Sequence, residues 1–364
     1  MNLETTLILV LGLALLIGGA EFLVRGASRI AVAFGISPLV VGLTVVAFGT
    51  SSPEFAVSVM ASFKGEADLA MGNVVGSNIF NVLVILGLAA VIVPLTVAQQ
   101  LIRFDVPVMI GVSIATLLLG LDGSIGHLDG MLLFSGAVFY TVFLIRQSRR
   151  EGNPEVKEEY EVHVNRAAGR RKLLTDIGMV ILGLVALVWG SKFLVTGAVT
   201  IAKSFGIPEL VIGLTIVSAG TSLPEVAASI TAALKGERDI AVGNVVGSNI
   251  FNLMSVLGLG ALVSPHGIPV SPAALHFDLP VMVAIAVACL PIFLFGRISR
   301  VNGVFFLAYY ALYLVYLYFM ATHHPAFALY QKILGYGVLP ITVLVLLAMV
   351  VKALAARKQG RITA

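Results

Sequence analysis

Ten residues are written twice in this chain. The segment Gly-Asn-Val-Val-Gly-Ser-Asn-Ile-Phe-Asn from Gly72 to Asn81 recurs letter for letter as Gly243 to Asn252, 171 residues later. At the same offset Gly-Thr-Ser-Ser-Pro-Glu (Gly49 to Glu54) matches Gly-Thr-Ser-Leu-Pro-Glu (Gly220 to Glu225), and Phe22-Leu-Val matches Phe193-Leu-Val. Further on the offset becomes 173, where Phe104-Asp-Val-Pro-Val-Met109 matches Phe277-Asp-Leu-Pro-Val-Met282. A duplication this long restricts the fold to two copies of one unit packed against each other.

Composition says where the unit lives. The chain is 59% hydrophobic and 12% charged, about half the roughly 25% charge of a soluble domain. Apolar runs cover 5–24, 36–62, 68–97, 103–121, 127–145, 176–201, 208–234, 240–264, 275–295, 300–320 and 333–354. Each is close to the ~20 residues that span a bilayer as a helix, and strand-like alternation is absent. The expected fold is an all-α integral membrane protein of about 11 helices. The first copy is 1–149, a linker occupies 150–173, the second copy is 174–322, and 323–364 adds an extra transmembrane helix and a tail. Five helices per copy is an odd number, so the second copy enters the membrane from the opposite face. That is the inverted-repeat plan of many secondary transporters.

Positive charge orients the chain. With the N-terminus outside and the C-terminus cytoplasmic, all of the 23 Lys and Arg except Lys64, Lys192, Lys203 and Lys332 fall inside. The net charge of +4 therefore expresses topology and not nucleic-acid binding. The first run follows an acidic, Lys/Arg-free leader and is read as a retained helix rather than a cleaved signal. The single cysteine, Cys289, is read as packing.

Two carboxylates stand in mid-helix, Glu54 and Glu225. Placing a charge at the bilayer centre costs roughly 2.5–3.5 kcal/mol, so two at matched positions need a purpose. The bland purpose is an ion pair with a helix lysine; Lys192 is the candidate, with Glu21 its other possible partner. The neighbours favour a cation. Thr50 shares a helix face with Glu54, Ser77 with Asn81, Thr221 with Glu225 and Ser248 with Asn252. All offer oxygen, which hard cations such as calcium require in sets of six to eight. Glu54, Glu225, Thr50 and Thr221 form the expected metal set. Pro53 and Pro224 should break their helices, freeing backbone carbonyls around Ala47 and Ser218. Gly72, Gly76, Gly243 and Gly247 would allow close helix packing. Asn78 and Asn249 are equally suited to tying helices together or lining the site. Asp105 and Asp278 are read as structural, and Asp68 and Asp239 as helix-start charges.

On these residues the sequence resembles the calcium/cation antiporter superfamily, which includes the sodium/calcium exchangers and their prokaryotic members. The family carries a Gly-Thr-Ser-x-Pro-Glu and a Gly-Ser-Asn-x-x-Asn segment in each of two repeats, and both occur here twice, within about 1–322. The resemblance implies that Glu54 and Glu225 are shared by calcium and sodium. It implies that Thr50, Ser51, Thr221 and Ser222 add side-chain or carbonyl oxygens, and that Ser77, Asn81, Ser248 and Asn252 complete flanking sodium sites. Helices 1 and 6 would slide as a gate. Potassium-dependent members tend to carry Asp where this chain has Asn252, and the ~24-residue linker cannot hold the calcium-sensing domain of animal exchangers. The final helix lies beyond the family's ten-helix core.

The expected function is secondary antiport of Ca2+ against Na+ by alternating access, in a multi-pass protein of a prokaryotic inner membrane. Its partners would be inorganic cations and the bilayer, without a cofactor and with the oligomeric state open. A Ca2+/H+ antiporter on the same fold is the alternative. An intramembrane enzyme would need His-Glu-x-x-His or a Ser–His pair, and the six histidines lie outside such patterns. A channel needs no matched carboxylates on inverted repeats.

Overall fold

The computed structural model describes residues 3–150, 170–205 and 218–358. The helices are α1 (Leu3–Phe34), α2 (Pro38–Thr50), α3 (Ser52–Phe63), α4 (Ala67–Ile92), α5 (Leu101–Asp122) and α6 (His127–Arg150). After the undescribed segment come α7 (Arg170–Ser204), α8 (Leu223–Leu234), α9 (Arg238–Val263), α10 (Ala274–Phe293), α11 (Arg300–Ala321) and α12 (Phe327–Ala355). Nine of the described helices are long and apolar enough to cross a membrane, and the bent pair α2–α3 makes a tenth span. The chain is a multi-pass, all-α membrane protein of inverted repeats. The apolar run 208–234 is described from Ser218 onward, as a short turn of helix and α8, and most of the expected linker lies outside the described residues.

The α2–α3 span breaks where the two Ser-Pro residues predict. Ser51 leaves the helical region at φ −79° and ψ 10°, Pro53 sits in the first turn of α3, and the axis bends by 52°. Ser222, before Pro224, repeats the geometry at φ −87° and ψ 6°. Proline lacks the N–H that would continue the ladder, so each helix restarts with its glutamate, Glu54 or Glu225, in the new first turn.

α4 and α9 are the most buried spans, while α11 and α12 expose most of their apolar surface. α12 rests against the bundle through Leu346 and Met349 and a hydroxyl contact between Tyr309 and Thr342. α1 and α7 run against each other at backbone distance. A Cβ on Gly19 would meet the Gly183 carbonyl at 2.8 Å, and one on Gly190 would meet the Gly12 carbonyl at 2.8 Å. Small residues permit such approach where lipid gives no hydrophobic drive between helices. Gly243 and Gly247 likewise lie against the Leu39 and Leu43 carbonyls of α2, at 2.9 and 2.6 Å from a would-be Cβ; Gly72 and Gly76 meet nothing within 4 Å among the described residues.

Two small antiparallel ribbons connect the copies. Leu95 and Thr96 (β1) pair with Arg297 and Ile298 (β4), and Ser124 and Ile125 (β2) pair with Ile268 and Pro269 (β3). At the offset of 173 each ribbon is the mirror of the other, as an inverted repeat requires.

Candidate functional site

The two broken turns meet beside α4 and α9, and their hydroxyls cross over. Ser51 Oγ donates to Glu225 Oε1 at 2.7 Å, and Ser222 Oγ donates to Glu54 Oε1 at 2.8 Å. Each copy therefore supports the carboxylate of the other. Both glutamates are 1% exposed, and the second oxygen of each, Oε2, has no hydrogen-bond partner among the described residues. Leaving a buried acceptor unmatched costs ~1–3 kcal/mol, more for a charged group, so this matched pair of acceptors suits a positive charge.

The asparagines sharpen the point. Asn78 Nδ2 donates to the Asn249 carbonyl at 3.2 Å, and Asn249 Nδ2 returns to the Asn78 carbonyl at 3.3 Å. These two residues tie α4 to α9, which decides between the two roles open for them. Their side-chain oxygens are also used, accepting from Asn81 Nδ2 at 3.0 Å and Asn252 Nδ2 at 3.1 Å. That fixes which way the amides of Asn81 and Asn252 point, because only a nitrogen can donate to those oxygens. The other ends, Asn81 Oδ1 and Asn252 Oδ1, are buried acceptors without hydrogen-bond partners among the described residues. Both residues open a wide, π-helical turn, at Asn81–Leu86 and Asn252–Val256, a distortion frequent at functional sites.

Hydroxyls fill the space between. Ser77 Oγ lies 3.2 Å from Ser222 Oγ, whereas Ser248 Oγ, its mirror, has no hydrogen-bond partner among the described residues. Thr50 Oγ1 lies 3.1 Å from Val46 O, 3.4 Å from Ala47 O and 3.1 Å from Asn244 Oδ1. One hydroxyl proton cannot serve three acceptors, so oxygen is in surplus here too. The side chains gathered at the two breaks supply oxygen acceptors without sulfur or imidazole, and no group of three or more His, Cys, Asp or Glu occurs among the described residues. Such a donor set fits hard cations and not soft ones.

One expectation is overturned. The Ala47 carbonyl is not freed by the break: it accepts the Ser51 N–H at 3.0 Å as well as lying near Thr50 Oγ1. The kink is accommodated one residue later, at Ser51 itself. Ser218 lies at the edge of the described residues and its side chain is outside them. Lys192 pairs with neither glutamate nor with Glu21. Its Nζ lies 5.3 Å from the Trp189 ring, and Glu21 is held by Arg25 and Lys235 at 2.5 Å each.

Four site residues escaped the sequence reading. Asn73 Nδ2 donates to Ser58 Oγ at 2.8 Å, and Asn244 Nδ2 to Ser229 Oγ at 2.9 Å. Their oxygens face the threonines of the opposite copy, Thr221 at 3.4 Å and Thr50 at 3.1 Å. The signal was available: Asn73, Ser77 and Asn81 stand at intervals of four, as do Asn244, Ser248 and Asn252, a polar stripe along one face of an otherwise apolar helix. Asp105 and Asp278 are structural as expected, accepting from Tyr140 at 2.9 Å and Tyr313 at 3.1 Å.

Comparison with known proteins gives the family. The model of the sodium/calcium exchanger protein family matches residues 4–146 and again 175–319. The chain belongs to the sodium/calcium exchanger family. It is 40% identical over 304 residues to the putative antiporter CaxA of Alkalimonas amylolytica, covering 83% of this chain and 94% of that one. It is 33% identical to the sodium/calcium exchanger MaX1 of Methanosarcina acetivorans, covering 86% and 98%. Among solved structures, the sodium-calcium exchanger NCX_Mj superposes with a TM-score of 0.75 at 30% identity, covering 87% of this chain and all of that one. Membership makes the chain a membrane transporter of inorganic cations, by antiport, rather than an enzyme.

Proposed function

We propose that the chain exchanges Ca2+ for Na+ at a site built on Glu54 and Glu225. The observation that carries this reading is the pair of buried carboxylates, each held on one oxygen by the opposite copy's serine and unpartnered on the other. Thr50, Thr221, Ser51 and Ser222 would contribute oxygens beside them, with Ser218 as a backbone candidate. Ser77, Asn81, Ser248 and Asn252 would complete flanking sodium positions. The names of MaX1 and NCX_Mj, both sodium/calcium exchangers, support the ion pair chosen.

The mechanism follows from charge. Two ionised glutamates give the site −2, which one calcium or two sodium ions neutralise. An empty site would carry that charge through the apolar interior at a cost of several kcal/mol. The α1–α7 pair, packed backbone to backbone, therefore slides across the rest only when the site is loaded, and exchange replaces leak. A third sodium near the serines and asparagines would make the cycle electrogenic. The 1–149 and 174–322 copies would supply the two halves of the site. The Lys and Arg distribution supports an N-terminus outside and a C-terminus in the cytoplasm. Similarity to the inner membrane protein YrbG of Escherichia coli, at 40% identity, supports a prokaryotic inner membrane.

The test is calcium uptake into proteoliposomes loaded with sodium, with potassium, or placed under a proton gradient. Uptake that requires internal sodium supports the reading; uptake driven by protons alone would make the glutamates proton carriers and overturn sodium as the counter-ion.

A further inference from the structure

The symmetry of the site does not extend to its edges. Glu21 of α1 pairs with Lys235, the residue that ends α8, at 2.5 Å. At the offset of 171, Glu21 corresponds to Lys192 and Lys235 to Lys64. Lys64 ends α3 just as Lys235 ends α8, so the two positions are equivalent in structure as well as in number. One copy of this contact is an ion pair; its mirror would bring two lysines together.

The α1–α7 pair is also seated off-centre. A Cβ on Gly49 would meet Leu184 at 2.5 Å and one on Gly220 would meet Val195 at 2.4 Å, so both broken turns lie against α7. Exchanging the conformations of the two copies, the simplest way for an inverted repeat to open on its other side, would turn α1 toward both breaks. That move separates Glu21 from Lys235 and brings Lys192 toward Lys64. A second one-sided contact has the same effect: Ser191 of α7 donates to the Gly220 carbonyl, while the mirror residue is Ala20, which has no hydroxyl to offer Gly49. Within the pair itself, Arg29 of α1 reaches Asp176 of α7 at 3.4 Å, a contact that travels with the pair and is indifferent to its position.

We infer that Glu21 and Lys235 are a one-sided latch. They tie the α1–α7 pair to the rest of the bundle in the arrangement seen here, and the opposite arrangement, with Lys192 facing Lys64, has no equivalent tie. The ion-free chain therefore rests on one side instead of distributing evenly. With the orientation proposed above, Lys235 lies at the cytoplasmic face, so the resting state is closed toward the cytoplasm. The inference rests on the sliding-pair reading, but not on which ions are exchanged.

The test reads the equilibrium directly. Spin labels are placed on α1 and α11 through Phe34→Cys and Val301→Cys, both exposed positions, with Cys289→Ala as background. Distances are measured by electron–electron double resonance in liposomes free of sodium and calcium. One arrangement should dominate the parent. Glu21→Lys should raise the minor arrangement about fivefold, the upper range for an exposed ion pair. Lys192→Glu should raise it similarly by giving the opposite arrangement a partner for Lys64, and the two together should invert the preference. Glu21→Lys with Lys235→Glu should restore the parental distribution, which separates the latch from damage to the fold. Unchanged distributions in all variants, or failure of that double swap to restore, would overturn the latch. Calcium counterflow on the same vesicles keeps the readings apart: shifted distances without calcium transport would sink the ion assignment and leave the latch standing.

Discussion

Glu225→Gln isolates the charge of the site from its shape. Glu225 is 1% exposed, its Oε1 accepts a hydrogen bond from Ser51 Oγ at 2.7 Å, and its Oε2 has no hydrogen-bond partner among the described residues. Glutamine keeps the volume and keeps an oxygen for Ser51, so the bundle should fold as before. The site charge falls from −2 to −1. Calcium then crosses with one uncompensated positive charge, and a lone charge at the bilayer centre costs about 2.5–3.5 kcal/mol. At 1.4 kcal/mol per tenfold, that is a loss of roughly 60- to 300-fold in calcium exchange. The assay is sodium-driven radioactive calcium uptake in proteoliposomes, with a thermal melt confirming that the variant is folded. One sodium ion still balances the altered site, so sodium/sodium exchange should survive where calcium exchange does not. Calcium exchange within threefold of the parent, in folded protein, would refute the charge argument.

Three further outcomes are expected. Ser51→Ala and Ser222→Ala each remove a hydrogen bond to a buried carboxylate worth about 1.5–3 kcal/mol; by symmetry they should weaken half-saturation for calcium to similar extents, roughly 10- to 100-fold, and a strong effect of only one would deny equivalence. Gly19→Val places side-chain atoms where a Cβ already meets the Gly183 carbonyl at 2.8 Å, so overpacking should lower stability by about 1–3 kcal/mol in a denaturation series, while an unchanged midpoint would mean the α1–α7 contact is not tight. Tyr140→Phe strips Asp105 of its donor and leaves both of its oxygens unmatched; a loss of about 1–3 kcal/mol in stability with unaltered ion preference is expected, and altered preference would move Asp105 from scaffold to site.

Much of this arrangement is legible from residues alone, because the duplication makes each local signal appear twice. A single Pro-Glu in an apolar run carries little meaning; the same turn at Pro53 and Pro224, each beside a Gly-Ser-Asn segment, specifies broken helices facing a second pair. The tertiary crossing was not legible. Spacing along one helix pairs Thr50 with Glu54, but it says nothing of Ser51 reaching across to Glu225, which depends on how two breaks oppose each other. Local rules also misplaced the effect of Pro53, since the helix breaks at Ser51 and the Ala47 carbonyl keeps a backbone donor. Asn73 and Asn244 were passed over although they continue the stripe of Ser77 and Ser248 by one turn. Glu21 found its partner in a residue 214 positions away, beyond any periodicity.

The most direct test of the account is the ion dependence of calcium uptake when Glu54 and Glu225 are both intact and when either is replaced by Gln. The account predicts that uptake in the parent rises only with internal sodium and that each replacement lowers it by roughly 60- to 300-fold in folded protein. Sodium-independent uptake, or uptake within about threefold of the parent after either replacement, would contradict the claim that this pair of carboxylates carries the exchange.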